Sequence, residues 1–408
     1  AVTKATSVAA ALSGGSGVGV SGGGLHVENT MAASVHAYID SSEKTQAADD
    51  ITISARDESS IMADARGVSV AAGLGVSTSA GVSVALTLAF NEIDNDIWAY
   101  IKNAEDLDST GGDVKVSAQD SATITSKAIA ASVAVSGSGS AAFGVSGGGA
   151  RADNEIGTSV RAYITGSDVA AAVGDITVKA KSDSTIKAEI LAASGSVAVG
   201  ASAAVGASVG AALAQNLIGT DSDGVPTGET VSAYIENSSV DAGGDLLLEA
   251  DNEQTIDAIV RAGSVAVSAG GTAGIGLSGA GASAENYVAI TTAAYVNGDG
   301  SKGVKGKSIT ITADDISKIS VIVGAASMAA GLGGSVGGSL SIGVGLARNT
   351  IRNDVRAYAS KADTLLHARS GKLIITATEN ATISATASAA SVAASAAASV
   401  GVALTGAG

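Results

Sequence analysis

The strongest constraint on this fold is an internal repeat of about 62 residues. Six of the seven tyrosines lie in the dipeptide Ala-Tyr, at spacings of 62, 63, 71, 61 and 63 residues. An asparagine precedes five of them by nine residues and the remaining one by eighteen. Repetition at such a period is typical of folds in which each unit buries its apolar face against its neighbours. The recurring residues are Tyr38, Tyr100, Tyr163, Tyr234, Tyr295 and Tyr358, with Asn29, Asn91, Asn154, Asn216, Asn286 and Asn349.

A second marker follows each tyrosine and predicts a strand. In four repeats it begins with Asp and alternates apolar and polar residues up to an Ala, as in residues 113–118. The last two repeats replace the Asp with Ser308 and Lys372, and an isoleucine stands six residues after the Ala in all six. Such alternation indicates a half-buried strand, and the Gly-Gly that often precedes it indicates a turn. The Ala-Tyr-Ile segment is predicted to be another short strand.

A segment of constant length separates each of the first five of these isoleucines from the next asparagine. The distance is thirty residues in all five cases, and the stretch from Ile190 to Gly219 contains no charged residue. Glycine and β-branched residues are too frequent there for a helix. We predict two strands buried on both faces and joined by a Gly-rich turn, with small side chains that let a second sheet approach closely.

These patterns predict an all-β tandem-repeat fold, either a β-solenoid or a stacked-sheet rod. Equivalent strands should pair, so that Tyr stacks on Tyr, and Asn side chains exchange amide hydrogen bonds along the stack. No 21-residue sub-period is visible, which favours one large turn of chain per repeat over three smaller coils. The predicted repeats are 1–61, 62–124, 125–186, 187–256 with a loop insertion at 220–228, 257–319 and 320–383, followed by a partial seventh at 384–408.

Composition agrees with this fold and restricts the partners. Aromatic residues are only 2% of the chain, although 46% is apolar, so the core must use small aliphatic side chains, which suits closely stacked sheets. The formal net charge of -16 argues against nucleic acid. The absence of cysteine excludes disulfides and thiolate metal sites. Because very long secreted bacterial proteins often lack cysteine, we expect an extracellular or cell-surface bacterial protein, either a mature product or a segment of a larger one.

No motif in the sequence strongly indicates catalysis. Gly-x-Ser-x-Gly occurs at 19–23 and 144–148, but both copies lie in Gly- and Ser-rich segments without a strand–turn–helix context. The histidines are His26, His36 and His367, and none has metal-ligand spacing to another. We therefore predict no catalytic residue, no cofactor and no metal ligand, and hence no enzyme. Acid-rich loops at 92–96 and 221–223 are candidates only for loose calcium binding.

The combined signature resembles the repeats of giant bacterial filamentous adhesins, the leukotoxin-like and haemagglutinin-like exoproteins. It consists of an uncharged Val-Ala-Val-Ser-Gly stretch, an Asn nine residues before Ala-Tyr-Ile, a Gly-Gly-Asp-Ile strand and a Ser-x-Ile, and it extends over essentially all 408 residues. The resemblance implies a secreted, cell-surface or filamentous protein whose function lies in its length and surface. The haemagglutinin coil of about twenty residues is not visible in this chain.

The expected function is therefore to form or extend a surface fibre or adhesin by stacking β repeats. The expected partner is self, by head-to-tail stacking, with host or environmental glycans as candidate ligands. One alternative is a β-helix stalk that binds carbohydrate or degrades polysaccharide, in which the insertion at 220–228 would be the recognition loop. Another is a membrane-embedded β protein, because the uncharged runs exceed the length of a membrane span. Glycine and serine dilute their hydrophobicity, so we expect no membrane insertion.

Overall fold

The computed structural model describes residues 1–408 and contains strands and turns without any helix. The strands, in chain order, are β1 Val2–Ser13, β2 Gly17–Asp40, β3 Thr45–Ala47, β4 Ile51–Arg56, β5 Ser60–Gly75, β6 Thr78–Lys102, β7 Leu107–Ser109, β8 Val114–Asp120, β9 Thr123–Ser138, β10 Ala141–Thr165, β11 Asp168–Ala171, β12 Ile176–Gly200, β13 Ala203–Ile218, β14 Thr230–Glu236, β15 Ser239–Ala242, β16 Leu246–Gly270, β17 Ala273–Val288, β18 Thr291–Asn297, β19 Val304–Gly306, β20 Ile309–Gly333, β21 Val336–Ile351, β22 Asp354–Ser360, β23 Leu366–Ala368, β24 Leu373–Glu379, β25 Thr382–Ala397 and β26 Val400–Ala407.

The strands form three parallel sheets of ten, ten and six strands. Sheet A holds β1, β4, β5, β8, β9, β12, β16, β20, β24 and β25, and sheet B holds β2, β6, β10, β13, β14, β17, β18, β21, β22 and β26. Sheet C holds the short strands β3, β7, β11, β15, β19 and β23. The chain visits A, B and C in turn and then begins again. We call each such passage a layer, so that layers 1 to 7 are β1–β3, β4–β7, β8–β11, β12–β15, β16–β19, β20–β23 and β24–β26.

Each strand pairs with the equivalent strand of the next layer. Val2 of β1 lies beside Asp64 of β5, and Leu246 of β16 lies beside Ile309 of β20, which are separations of 62 and 63 residues. Between layers 4 and 5 the separation in sheet A rises to 70. The chain therefore makes one large turn per repeat, as the missing 21-residue period predicted.

The interior of each layer has two parts. The body, near sheet C, is filled by isoleucine, valine, leucine and alanine side chains that form one apolar cluster through the stack. Ile93, Ile124, Ile156 and Ile186 are among its largest fully buried side chains. The wing lies at the opposite end, where sheet A turns back into sheet B. In layer 4 the wing comprises residues 192–211, and the residues paired with these form it in the other layers.

The wing is thin because only small side chains separate its two sheets. A Cβ atom added to Gly148 would lie 2.5 Å from the backbone oxygen of Ala193, and one added to Gly206 would lie 2.8 Å from that of Val267. Both distances are shorter than real Cβ contacts, so a side chain at either position would push the sheets apart. The close approach predicted from the Gly/Ser/Ala pattern is present.

The prediction that these strands are buried on both faces is wrong. Along the layer-4 wing, buried and accessible residues alternate, and the accessible set includes Val197, Val199 and Val209 at 38–59% exposure. The small residues point inward and the larger apolar ones point outward. Because neither set is charged, the sequence pattern could not distinguish a buried outer face from an exposed one.

The insertion at 220–228 forms the predicted loop between β13 and β14. It closes on itself by an isolated bridge between Thr220 and Pro226, and the carboxylate of Asp221 accepts hydrogen bonds from the backbone N–H groups of Asp223 and Val225. Gly224 has a positive φ, which a residue with a side chain adopts with strain. The loop is an addition to one layer and leaves the pairing of the layers on either side in register.

Candidate functional site

The six repeat tyrosines form a continuous column on the outer face of sheet B. Their neighbours in each Ala-Tyr-Ile segment point inward, as Ala99 and Ile101 do on either side of Tyr100. Successive rings stack with centroids 4.8–4.9 Å apart and planes within 1–5°. This spacing equals the distance between adjacent strands, because in-register parallel pairing places identical side chains directly above one another. Burial raises the pKa of Tyr295 to about 12, with the neighbouring Tyr358 contributing, so this phenol stays protonated at neutral pH.

The six asparagines form a second column inside the body. The Nδ2 of Asn29 donates to the Oδ1 of Asn91 at 2.7 Å, and the same bond recurs along the stack as far as Asn349, always at 2.7–2.8 Å. Every bond points toward the higher layer, so the amide dipoles are aligned. The four inner asparagines are buried, and this chain of bonds satisfies polar groups that would otherwise destabilise the core.

A serine seam in the wing was not found from the sequence. In six layers the serine at one position of sheet A meets the serine fourteen residues later on sheet B, with hydroxyl oxygens 2.6–2.9 Å apart. The pairs are Ser7–Ser21, Ser69–Ser83, Ser132–Ser146, Ser194–Ser208, Ser264–Ser278 and Ser327–Ser341. The constant spacing is visible in the sequence, but its meaning depends on knowing where the chain turns at the wing tip.

The seam also accounts for the Gly-x-Ser-x-Gly motifs. Their serines, Ser21 and Ser146, are buried between the two sheets and bonded to Ser7 and Ser132. A nucleophilic serine needs a hydrogen-bonded base and access to substrate. Each of these hydroxyls instead has another serine hydroxyl as its side-chain partner.

The three histidines are dispersed along the chain. His26 lies beside Glu28 at 3.4 Å and close to the ring of Phe90. The ring of His36 stacks on that of Trp98 with centroids 4.5 Å apart. His367 lies on the short strand β23. The structure has no group of three or more His, Asp or Glu side chains arranged to hold a metal ion.

A buried carboxyl lies in the body where β8 ends. Asp120 is fully buried, and its Oδ1 has no hydrogen-bond partner. Its Oδ2 accepts only a long bond of 3.4 Å from the hydroxyl of Ser184 among side-chain donors. Burial raises the pKa of Asp120 to about 7, and the charge of Asp57 contributes to the increase. Asp57 lies one layer away, where its backbone oxygen accepts from Ser121 N–H.

The equivalent carboxyl three layers further on has a different environment. Asp315 accepts hydrogen bonds from the hydroxyl of Ser317 at 2.9 Å, from Asn353 Nδ2 at 2.7 Å, from the hydroxyl of Thr292 at 3.3 Å and from Asn252 Nδ2. These donors compensate the loss of water around a buried carboxylate. The same column of the stack therefore contains one buried carboxyl with many hydrogen-bond donors and one with few.

The two acidic segments considered for calcium lie near each other. The prediction that residues 92–96 form a loop is wrong, because they lie within strand β6. The insertion packs beside the strand that carries Glu92 and Asp94, and a cleft of about 150 Å³ between them is also lined by Glu155 and Glu229. Burial raises the pKa of Glu155, and repulsion from Glu92, Asp221 and Asp94 raises it further. Asn95, also on β6, points inward and donates to Asp57, so it is not available at this cleft.

A polar surface depression lies beside the same insertion. It has a volume of about 480 Å³ and is lined mainly by polar side chains, including His26, Glu28, Arg151 and Asp153. Arg151 pairs with Asp153 at 2.7 Å. Gln215 lines the depression and donates to the backbone oxygen of Ser222, which joins the depression to the inserted loop.

No protein-family model, curated protein or solved structure matches this chain. The structure also contains no helix that is long and apolar enough to span a membrane.

Proposed function

We propose that this chain is a β-solenoid rod of about six repeats that forms or extends an extracellular fibre or adhesin on a bacterial surface. The observation that carries the proposal is the uninterrupted pairing of every layer with the next. The tyrosine and asparagine columns run through layers 1 to 6 without a break. A chain with this organisation acts through its length and its stiffness, because each layer contacts only its neighbours.

Its chemistry supports a structural role over catalysis. The serines of the elbow-like motifs are used in internal packing, and the three histidines lie apart. The acidic surface, with a net charge of -16, fits a protein that stays soluble and avoids nucleic acid. The resemblance to giant filamentous adhesins points to the same role, secreted from a bacterium and partnered by further repeats or further copies. We propose no cofactor, with calcium limited to loose binding at the acidic cleft.

Electron microscopy of the purified chain tests this proposal. We expect rods that join end to end into filaments, with a meridional diffraction spacing of about 4.8 Å from the stacked strands. Short rods with that spacing but no end-to-end contact would restrict the chain to a stalk within a larger protein. Particles without the spacing would exclude the rod altogether.

A glycan-binding stalk is the second candidate, and the polar depression beside the insertion favours it. Arg151, Gln215 and His26 offer hydrogen-bond donors around one cleft, as a sugar-binding site requires. Binding to a glycan array that disappears when residues 220–228 are deleted would support this function. The deletion variant must keep the thermal stability of the parent chain, so that a loss of binding is not caused by unfolding.

A further inference from the structure

On the outer face of sheet B in the wing, large apolar side chains and glycines occupy regular positions. We call it the wing B face and define it by four consecutive outward positions in each layer, which are residues 18, 20, 22 and 24 in layer 1 and the residues paired with them. In odd layers the first two positions carry large apolar residues and the last two carry glycine. These residues are Val18, Val20, Gly22 and Gly24; Phe143, Val145, Gly147 and Gly149; Ile275, Leu277, Gly279 and Gly281; and Val402, Leu404, Gly406 and Gly408.

Even layers follow the opposite tendency. The larger, more exposed residues there lie at the third and fourth positions, as with Val84 and Leu86 in layer 2 and Ile342 and Val344 in layer 6. Except at Gly338, the first two positions of the even layers are also filled, by Ala80 and Val82, by Val205 and Ala207, and by Leu340. Layers with two apolar knobs and two glycine troughs therefore alternate with largely filled layers, and the relief repeats every two layers, which is twice the 62-residue period.

Most of the trough glycines have no structural reason within the chain, although a Cβ atom added to Gly149 would lie 3.1 Å from Leu86 Cδ1. A Cβ atom added to Gly22, Gly24, Gly279 or Gly281 would meet no atom within 4 Å, and none of these residues has a positive φ. Glycine weakens a strand relative to alanine, because it loses more conformational freedom on folding. The inward glycines such as Gly148 are needed for sheet contact. The outward glycines therefore make room for something outside the chain.

The face is large enough for a stable protein interface. Four alternate positions and their flanks extend about 30 Å along the strands, and seven strands extend about 30 Å across them. Two such faces in contact would bury about 1,800 Å², compared with about 1,600 Å² for an ordinary stable interface. Its knobs are exposed, with Val18 at 59%, Val20 at 64% and Val209 at 59%. Exposed apolar patches of this size mark interaction sites.

We propose that two copies of this chain associate through their wing B faces, around a two-fold axis that runs along the stacking direction. This axis reverses the strand direction and keeps each layer opposite itself. In every odd layer the two knobs of one copy then face the two troughs of the other, so that Val145 faces Gly147 and Phe143 faces Gly149 of the second copy. A face that is complementary to itself in this way is what a two-fold interface requires.

Charge and relief both favour a second copy over a lipid surface. The wing B face carries no charged residue, whereas the body beyond it carries pairs such as Arg151 with Asp153. Reversing the strand direction places the two acidic bodies at opposite ends, where they repel each other least. Fluid acyl chains adapt to any apolar surface and have no need of troughs aligned with knobs, but a rigid partner does.

Sedimentation equilibrium tests the proposal. We expect a closed dimer of the 38.8 kDa chain, and a variant with Gly22→Val and Gly279→Val whose dissociation constant is at least about tenfold higher, because its troughs are filled. Valine is a good strand former and has open space at both positions, so the variant should keep its fold by circular dichroism and thermal melting.

The matched control carries Gly195→Val and Gly263→Val on the outer face of sheet A. Both positions are also open, so the control should dimerise as the parent does. A parent chain that is monomeric up to about 100 µM, or trough variants that dimerise as well as the control, would overturn the proposal. Flotation of a monomeric parent with phosphatidylcholine vesicles would instead assign the face to lipid. The end-to-end stacking expected from the proposed function is recognised separately, because it grows without limit as concentration rises, whereas this lateral contact stops at two copies.

Discussion

At the scale of single residues, the stability of the interior depends on whether each buried polar group has a hydrogen-bond partner. The asparagine column and the serine seam give most of their members a partner in the next layer or the facing sheet. Asp120 is the clearest exception, because its Oδ1 has no partner and the neighbouring carboxyl of Asp57 adds repulsion. Its ionised form is therefore disfavoured in the folded protein.

We expect Asp120→Asn to stabilise the protein at pH 8 and to leave its stability nearly unchanged at pH 4. The pKa of Asp120 is raised from 3.8 to about 7 on folding. Asp120 therefore does not lower the free energy of unfolding below about pH 4. It lowers it progressively as pH rises from about 4 to about 7, and by about 4 kcal/mol above that interval. Urea unfolding at both pH values measures the difference.

The matched control is Asp315→Asn. Asp315 accepts four side-chain hydrogen bonds, so replacing one of its acceptor oxygens with an amide should destabilise the protein by about 1–3 kcal/mol at pH 8. If both variants shift stability in the same direction at pH 8, the contrast between the two carboxyl environments is wrong.

The asparagine column gives a second residue-scale prediction. Asn154→Ala removes both its bond from Asn91 and its bond to Asn216, and leaves the Oδ1 of Asn216 buried without that donor. We expect a loss of about 1–3 kcal/mol in the free energy of unfolding. Asn29→Ala at the more accessible end of the column removes only one bond, and should cost less than about 1 kcal/mol. Equal losses in the two variants would show that the column is not a connected network.

At the scale of strands and turns, the sequence predicted more of the body than of the wing. The Asp-Val-Lys-Val-Ser-Ala pattern became β8, with the expected alternation of burial, and the insertion at 220–228 became a loop. In the body, charged outer residues distinguish the two faces of a strand. In the wing both faces of each strand are uncharged. The sequence therefore does not distinguish an exposed valine from a buried one, because apolar residues are common on surfaces as well as in cores. The serine seam needed knowledge of the tip turn that no local pattern supplies.

The closeness of the two wing sheets leads to a prediction about glycine. Gly148→Ala would place a Cβ atom 2.5 Å from the backbone oxygen of Ala193, so we expect it to destabilise the protein by about 1–3 kcal/mol. Gly195→Ala adds the same methyl group where nothing lies within 4 Å, and should stabilise by about 0.5–1 kcal/mol. Thermal melting of the two variants decides the matter, and a wing that tolerates both would have to be less tightly packed than the structure indicates.

At the scale of the whole molecule, the pattern of charge separates two kinds of surface. The body carries nearly all of the 62 charged residues implied by 23 basic and 39 acidic side chains, and the wing presents exposed apolar side chains. The 62-residue period was readable because Tyr and Asn recur in layers 1 to 6. The two-layer period was not, because it emerges only when outward residues of successive strands are aligned.

This separation of charge predicts how association responds to salt. Copies with a net charge of -16 repel each other, whereas the proposed wing contact is apolar and has no ion pair to screen. Raising sodium chloride from about 50 to about 500 mM shortens the Debye length from roughly 14 to 4 Å, so we expect the dimer dissociation constant to fall several-fold. Sedimentation equilibrium at the two salt concentrations measures it. Weakening at high salt would mean that ion pairs of the body, rather than the apolar wings, hold the copies together.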